Sequence, residues 1–294
     1  MNTEKKQKHI PPCRLFPIFA REAKITVIFR RGPSKFTQLI LWNTETDEIT
    51  YGQWFKGRIY ERRCDLSPDG TKLIYFAQKL NSRTIADFEY TYAWTAISKP
   101  PYLTALALWA KGDCWHGGGL FNSNDTIFLN HKPEVAEPHK DHLPKNLKII
   151  SNPDARGEDD PIYSQKLERD GWKVINDWKV TYDGYDAFYT TQQPETREKV
   201  NESNKSSIQM ERSIKRLDYS EKFIVKNGRD NLLEVNKRGC WIDFDQNGRI
   251  SVFKDGKLFV DENKQNKNIN LVELADFNFS KPEFAESPEW AKHW

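Results

Sequence analysis

One local pattern recurs along this chain: a short polar turn with strand-like runs on both sides. Its clearest copy is Cys64-Asp65-Leu66-Ser67-Pro68-Asp69-Gly70-Thr71-Lys72-Leu73-Ile74-Tyr75-Phe76. Proline presets φ at the second turn position and glycine accepts a left-handed conformation, so Ser67 to Gly70 reads as a β-turn. Looser copies centre on Asp125, Asp170, Glu221 and Asn247, which gives steps of 56, 45, 51 and 26 residues from Asp69. The first three steps resemble the ~40–50 residues of a propeller blade. The last is about half a blade. A propeller protects its sheet edges by radial repetition. The expected class is therefore all-β, an irregular β-propeller of about five blades of antiparallel strands. The alternative is a β-sandwich or two β-domains.

The expected organisation is a flexible tail over residues 1–12, one propeller-like domain over 13–279, and a closing tail over 280–294. Within the domain, Tyr60 to Leu66 reads as a continuous strand. Tyr163 to Leu167 reads as a strand returning to Trp172–Ile175 across Arg169-Asp170-Gly171. The stretch 194–212, rich in Glu, Lys, Ser and Asn, reads as an insertion, either a short exposed helix or a mobile loop. Asn247-Gly248 and Asp255-Gly256 are strong hairpin signals. Only 37% of residues are hydrophobic, but ten Trp supply large buried rings, so a core is attainable.

Three blocks carry a resemblance. They are Phe29-Arg30-Arg31-Gly32-Pro33-Ser34, then Gln53 through Asp65, then Ala107 through Gly119. With the Ser67-to-Tyr75 turn, they resemble an uncharacterised bacterial family of cytoplasmic proteins with WD40/TolB-like propeller turns. The resemblance covers residues 13 to about 175. It implies a propeller and no known reaction, so it brings no catalytic residues. The complete Trp-Asp blade endings of true WD40 repeats are absent.

No phosphate loop, GxGxxG, GxSxG or HExxH pattern occurs. The four cysteines form no CxxC pair. Cys114 and His116, with His131, His139 or His142, make a poor metal set, and the histidines of the 139–142 loop read as solvated. No catalytic residue, metal or cofactor is assigned. Met1 to Pro12 lacks the apolar segment of a signal peptide, and no run reaches membrane-spanning length. A cytoplasmic monomer with reduced thiols and no membrane contact is expected.

Charge supplies the functional lead. Residues 1–63 hold 13 Lys/Arg against 6 Asp/Glu, whereas the rest of the chain is net acidic. A basic-aromatic block, Arg30, Arg31, Trp54, Lys56, Arg58, Tyr60, Arg62 and Arg63, joins Trp115 and His116 as candidate partner-binding residues. An extended strand would send Arg62 and Arg63 to opposite faces. Asp154, Glu158, Asp159 and Asp160 form a candidate acidic contact loop. The expected function is a non-catalytic protein-binding scaffold. Its sharper form is an immunity protein that neutralises a toxin by occluding its active site. The alternatives are a carbohydrate-active or small-ligand-binding enzyme using the propeller channel, and a nucleic-acid binder.

Overall fold

The computed structural model describes residues 11–32, 35–155, 157–183, 188–215, 218–263 and 268–294. The expected tail through residue 10, Pro33-Ser34 and Arg156 lie outside them. The chain is all-β, with 47% strand and 8% helix.

Among the described residues, five sheets follow one another along the sequence. The first is the meander β1 (Arg14–Phe19), β2 (Ile25–Arg31), β3 (Phe36–Asn43) and β4 (Ile49–Lys56). The second holds β5 (Arg58–Ile59), β6 (Asp65–Leu66), β7 (Leu73–Gln78), β8 (Ala93–Ser98) and β9 (Ala107–Ala110). The short helix α1 (Ser82–Ile85) lies between β7 and β8. The third has β10 (Gly119–Ser123), β11 (Thr126–Leu129) and β12 (Lys148–Ser151), with β12 parallel to β11. After α2 (Ile162–Arg169) comes the largest sheet: β13 (Lys173–Asn176), β14 (Lys179–Asp183), β15 (Phe188–Gln193), β16 (Glu195–Val200), β17 (Ser206–Lys215), β18 (Asp218–Asn227) and β19 (Asp230–Asn236). The fifth is β20 (Trp241–Phe244), β21 (Ile250–Lys254), β22 (Lys257–Asp261) and β23 (Leu271–Asp276), before a last turn, α3 (Glu289–Lys292).

The recurring turn has three different fates. Ser67–Gly70 closes a turn between β6 and β7, with Gly70 N–H donating to the Ser67 carbonyl. Asp125 and Asn247-Gly248 also sit in hairpins, β10–β11 and β20–β21. Asp170 instead follows a helix, and Ser220-Glu221 lies inside β18.

The helix α2 corrects the expected strand at 163–167. Its buried residues are Ile162, Tyr163, Lys166 and Leu167, a helical spacing and not an alternating one. The Asp160 carboxylate accepts from the backbone N–H and hydroxyl of Ser164, which anchors the first turn. At the other end Arg169 forks onto Asp65 at 2.5 and 2.9 Å, while Asp65 also accepts from Phe121 N–H. Thus α2 is tied to β6 and β10.

The 194–212 stretch is corrected as well. It forms β16 and most of β17, a directly paired hairpin. Alternation explains this: Glu195 and Arg197 face inward with Ile208, Met210, Arg212 and Ile214. Polar composition hid the strands because their buried face is partly ionic. The continuous strand expected over 60–66 is broken by a 3₁₀ turn at Glu61–Arg63, which separates β5 from β6. The closing segment is packed. Trp294 joins the core of the second and third sheets, Ala291 is buried, and Ser287 bonds Thr104.

Apolar cores join successive sheets. Ile18, Val27, Phe29 and Leu39 meet Leu66, Leu73 and Tyr75 between the first and second. Ile74 and Trp109 meet Phe121 and Ile127 between the second and third. The first, fourth and fifth sheets share the largest core with α2, including Trp42, Trp172, Trp241, Phe223 and Phe253. Trp42 and Phe253 meet edge-on at 6.2 Å, so the first and last sheets are in contact. No described helix is long and apolar enough to cross a membrane.

Candidate functional site

Two cavities open along the same strands. One, of about 260 Å³, is lined by Arg14, Leu15 and Phe16 from β1 and by Cys240 and Trp241 at the start of β20. The other, of about 430 Å³, takes Pro17 and Phe19 from β1, Trp241 to Phe244 from β20 except Ile242, and Lys166 and Leu167 from α2. Tyr163 of α2 packs near Phe16 and Trp241, residues that line the smaller cavity.

The smaller cavity gathers arginines. Arg14 and Arg31 are direct partners in the β1–β2 register, so their side chains share a face. Arg31 reaches Glu61 at 3.5 Å. Arg58 lies 4.2 Å over the Tyr60 ring. Arg62 and Arg238 complete the set. Among the described residues neither Arg14 nor Arg58 has a carboxylate within ion-pair distance. Gly239 makes room for Arg14. It sits at φ +75°, and a Cβ there would stand 2.8 Å from the Arg14 Cγ.

The carboxylates of this cavity are already engaged. Glu221 accepts from Arg62 at 2.5 Å and from the Tyr163 hydroxyl at 3.2 Å. Asp159 stands 3.7 Å from Arg62 and 3.2 Å from Arg63, and Glu158 stands 3.9 Å from Arg63. The acidic loop and part of the basic block therefore hold one another. Burial works against the Arg62 charge, but Glu221, Tyr163 and Asp159 outweigh it and raise its pKa. Arg14 goes the other way. Partial burial lowers its pKa, and so do the neighbouring charges of Arg31, Arg238 and Arg58, with Glu61 pulling the other way.

The remaining candidates scatter. Arg30 is buried, against the expected exposed patch. It donates to the carbonyls of Phe277, Asn278, Ser280 and Gly32 and lies 4.8 Å over Trp54. Arg63 is also fully buried. Its Nη1 donates to the carbonyls of Cys114 (2.7 Å) and His116 (2.9 Å). Neither can meet a partner directly. Arg62 and Arg63 are not on a strand but neighbours within the 3₁₀ turn, and both come within 4 Å of Asp159, one part-exposed and the other buried. Lys56 is exposed and lies 5.9 Å from the Phe36 ring, outside the cavity. Trp115 is 65% exposed, and His116 lies on the backbone turn behind Arg63. Asp154 is exposed, and Asp160 anchors α2.

The glycines at 117–119 answer a packing need. A Cβ on Gly118, at φ +77°, would lie 2.1 Å from the Arg63 carbonyl oxygen. Burial pushes the Tyr60 hydroxyl up to about 12, with a Cys114 hydrogen bond adding to it. Cys64 is buried, and desolvation raises its thiol pKa, as for a core residue.

The His139 ring is also buried, correcting its expected solvation. Its Nε2 approaches Glu89 at 3.5 Å and its Nδ1 lies 4.0 Å from Asp141. These three are a geometric candidate for a metal. Two contacts oppose that use. Nδ1 already accepts the Asp141 N–H at 3.2 Å, which places the ring proton on Nε2, and Lys140 pairs with Glu89 at 2.8 Å.

His131 offers a pH test. It sits between the Thr95 hydroxyl and the Val135 carbonyl. Burial lowers its pKa from 6.5 to about 4, the Val135 carbonyl pulls upward, and Lys111 and His116 push further down. Because the unfolded chain binds the proton more readily, its contribution is complete above pH 6.5 and falls away toward pH 4. The expected loss is on the order of 3 kcal/mol. Urea unfolding of wild type and His131→Gln across this window checks it. An unchanged slope in the variant would refute the assignment.

No protein-family model matches this chain, and no curated protein is similar to it. The arginine mouth must be read from its own chemistry. Arg14, Arg238, Tyr219 and Glu221 were missed as site residues. Pairing the 14–19 and 25–31 runs antiparallel would have placed Arg14 opposite Arg31. Nothing local marks the other three.

Proposed function

We propose that this chain is a non-catalytic binding protein that captures an anionic segment of a protein partner in the arginine mouth. The observation that carries this reading is the imbalance of the cavity wall. Its four carboxylates are engaged by Arg31, Arg62 and Arg63, while no described carboxylate lies within ion-pair distance of Arg14 or Arg58. Such fields steer and orient charged partners.

A neighbouring feature suits a protein contact. The β14–β15 hairpin exposes Val180, Tyr182 and Tyr189, with the two tyrosine rings 5.0 Å apart. It joins the sheet where Thr190 pairs with Lys215, next to Tyr219 on the cavity rim. Exposed apolar side chains beside a charged mouth are common at protein interfaces. In its sharper form, the partner is a toxin whose acid-rimmed active site is covered by this face. In the same reading, the five sheets are blades of an irregular propeller, the first and last sharing a core, with α2 filling the middle.

The test is an array of acidic, neutral and basic peptides probed with the purified protein. Acidic peptides should be retained at low salt, released as salt rises, and ignored by an Arg14→Glu, Arg58→Glu variant that stays folded. Equal retention of all three classes, or retention unaffected by the variant, would sink the proposal.

A further inference from the structure

We infer that the anion the arginine mouth accepts is a phosphoryl group carried on a side chain of the partner. This rests on the binding reading above and names the ligand class. One carboxylate is satisfied by one guanidinium fork. This cavity offers more. Arg14 and Arg31 face each other directly across β1 and β2, and Arg58 and Arg238 line the same cavity. Like charges placed opposite each other on a sheet face disfavour the pair; Glu61 answers Arg31 at 3.5 Å, but no described carboxylate lies within ion-pair distance of Arg14. A phosphomonoester near neutral pH carries close to two charges on three acceptor oxygens, enough to engage several forks at once. Arginine clusters are the recurring solution for phosphorylated motifs.

An acidic cluster limits what can enter. Glu61, Glu158, Asp159 and Glu221 line the cavity too. Each stands within 4 Å of Arg31, Arg62 or Arg63, so each is locally compensated. A single phosphoryl group can approach Arg14 and Arg58 without displacing the ion pairs of that cluster. A continuous polyanion such as a nucleic acid would have to run past it. The cavity, about 260 Å³, has room for a phosphoryl group on its linking side chain.

The experiment is fluorescence anisotropy with one peptide made in three forms, carrying phosphoserine, glutamate or serine at its centre. Competition uses inorganic phosphate, and a single-stranded oligonucleotide is run in parallel. The phosphopeptide should bind about tenfold or more tighter than the glutamate form. Its affinity should climb between pH 5 and 7.5, as the second phosphate proton leaves near about 6. Arg14→Ala and Arg58→Ala should each lose about tenfold with circular dichroism unchanged. Gly239→Ala, which keeps every charge but crowds Arg14, should also weaken binding. If the glutamate peptide bound as tightly, the phosphoryl inference would fall and the proposed function would stand. If neither anionic peptide bound, both would fall. Inorganic phosphate as tight as the phosphopeptide would overturn the partner-borne source, and a tighter oligonucleotide would overturn the ligand class.

Discussion

Replacing Glu195 with alanine is expected to cost the protein about 3–5 kcal/mol of stability, the usual range for stranding buried charges. Glu195 is buried on β16 and bridges two other buried groups. Its carboxylate accepts from Arg197 at 2.9 Å and from Arg212 at 2.8 Å. Arg212 stands directly opposite it in the β16–β17 register, and Arg197 lies two residues along on the same face. The cluster reaches α2, because Arg197 lies 3.6 Å from Glu168 and Arg212 lies 4.7 Å over the Tyr163 ring. Removing the one acid leaves two guanidiniums in a space with little water to receive them. Removing all three should be far milder, since a well-packed apolar replacement of a buried ionic cluster is often neutral. Urea unfolding of Glu195→Ala and of the triple change Glu195→Leu, Arg197→Met, Arg212→Met makes the comparison. A single-variant loss below about 1 kcal/mol would mean that the cluster is solvated, in the range of surface pairs.

Arg63→Leu should be nearly as damaging, about 3–5 kcal/mol, while Arg58→Ala should leave stability within about 0.5 kcal/mol. Both residues belong to the same basic block in the sequence. Arg63 is enclosed, with its guanidinium 4.6 Å over Tyr60 and 5.2 Å over Phe76. It serves the carbonyls of Cys114 and His116 and the carboxylate of Asp159, so leucine leaves three acceptors without their donor. Hydrogen exchange of the 113–118 backbone should quicken in the same variant, because that loop loses its tether. Arg58 is exposed and lies over the Tyr60 face, so its loss belongs to binding. The pair of variants separates folding from function within one sequence block. Equal stability losses in the two would contradict the assignment of Arg63 to the core and Arg58 to the mouth.

Some features were legible because they are local. The β-branched run Ile25 to Phe29 forms a strand buried on both faces, and the Asn247-Gly248 hairpin forms where expected. The Ser67–Gly70 turn forms for the reason its residues suggest. Errors arose where buried polar groups imitate surface. In the 194–212 stretch, Glu195, Arg197 and Arg212 are core residues, so polarity pointed to a loop and strands formed. At 163–167, the turn signal at Arg169-Asp170-Gly171 suggested a strand returning to 172–175, but the buried pairs Ile162-Tyr163 and Lys166-Leu167 recur at helical spacing, and Asp160 starts a helix.

The candidate site divides along the same line. That the first 63 residues seek negative charge was written in their composition. Which arginines remain available for it was not. Arg30 and Arg63 find carbonyls and aromatic faces inside the molecule, Arg62 finds Glu221 from a strand about 160 residues away, and Arg14 and Arg58 find no acid among the described residues. Side-chain type and local periodicity set the strands, the turns and the sign of the charge. Only the packing of distant sheets around α2 decided which charges are neutralised, because an ion pair depends on separations of a few ångströms that a linear chain does not encode locally.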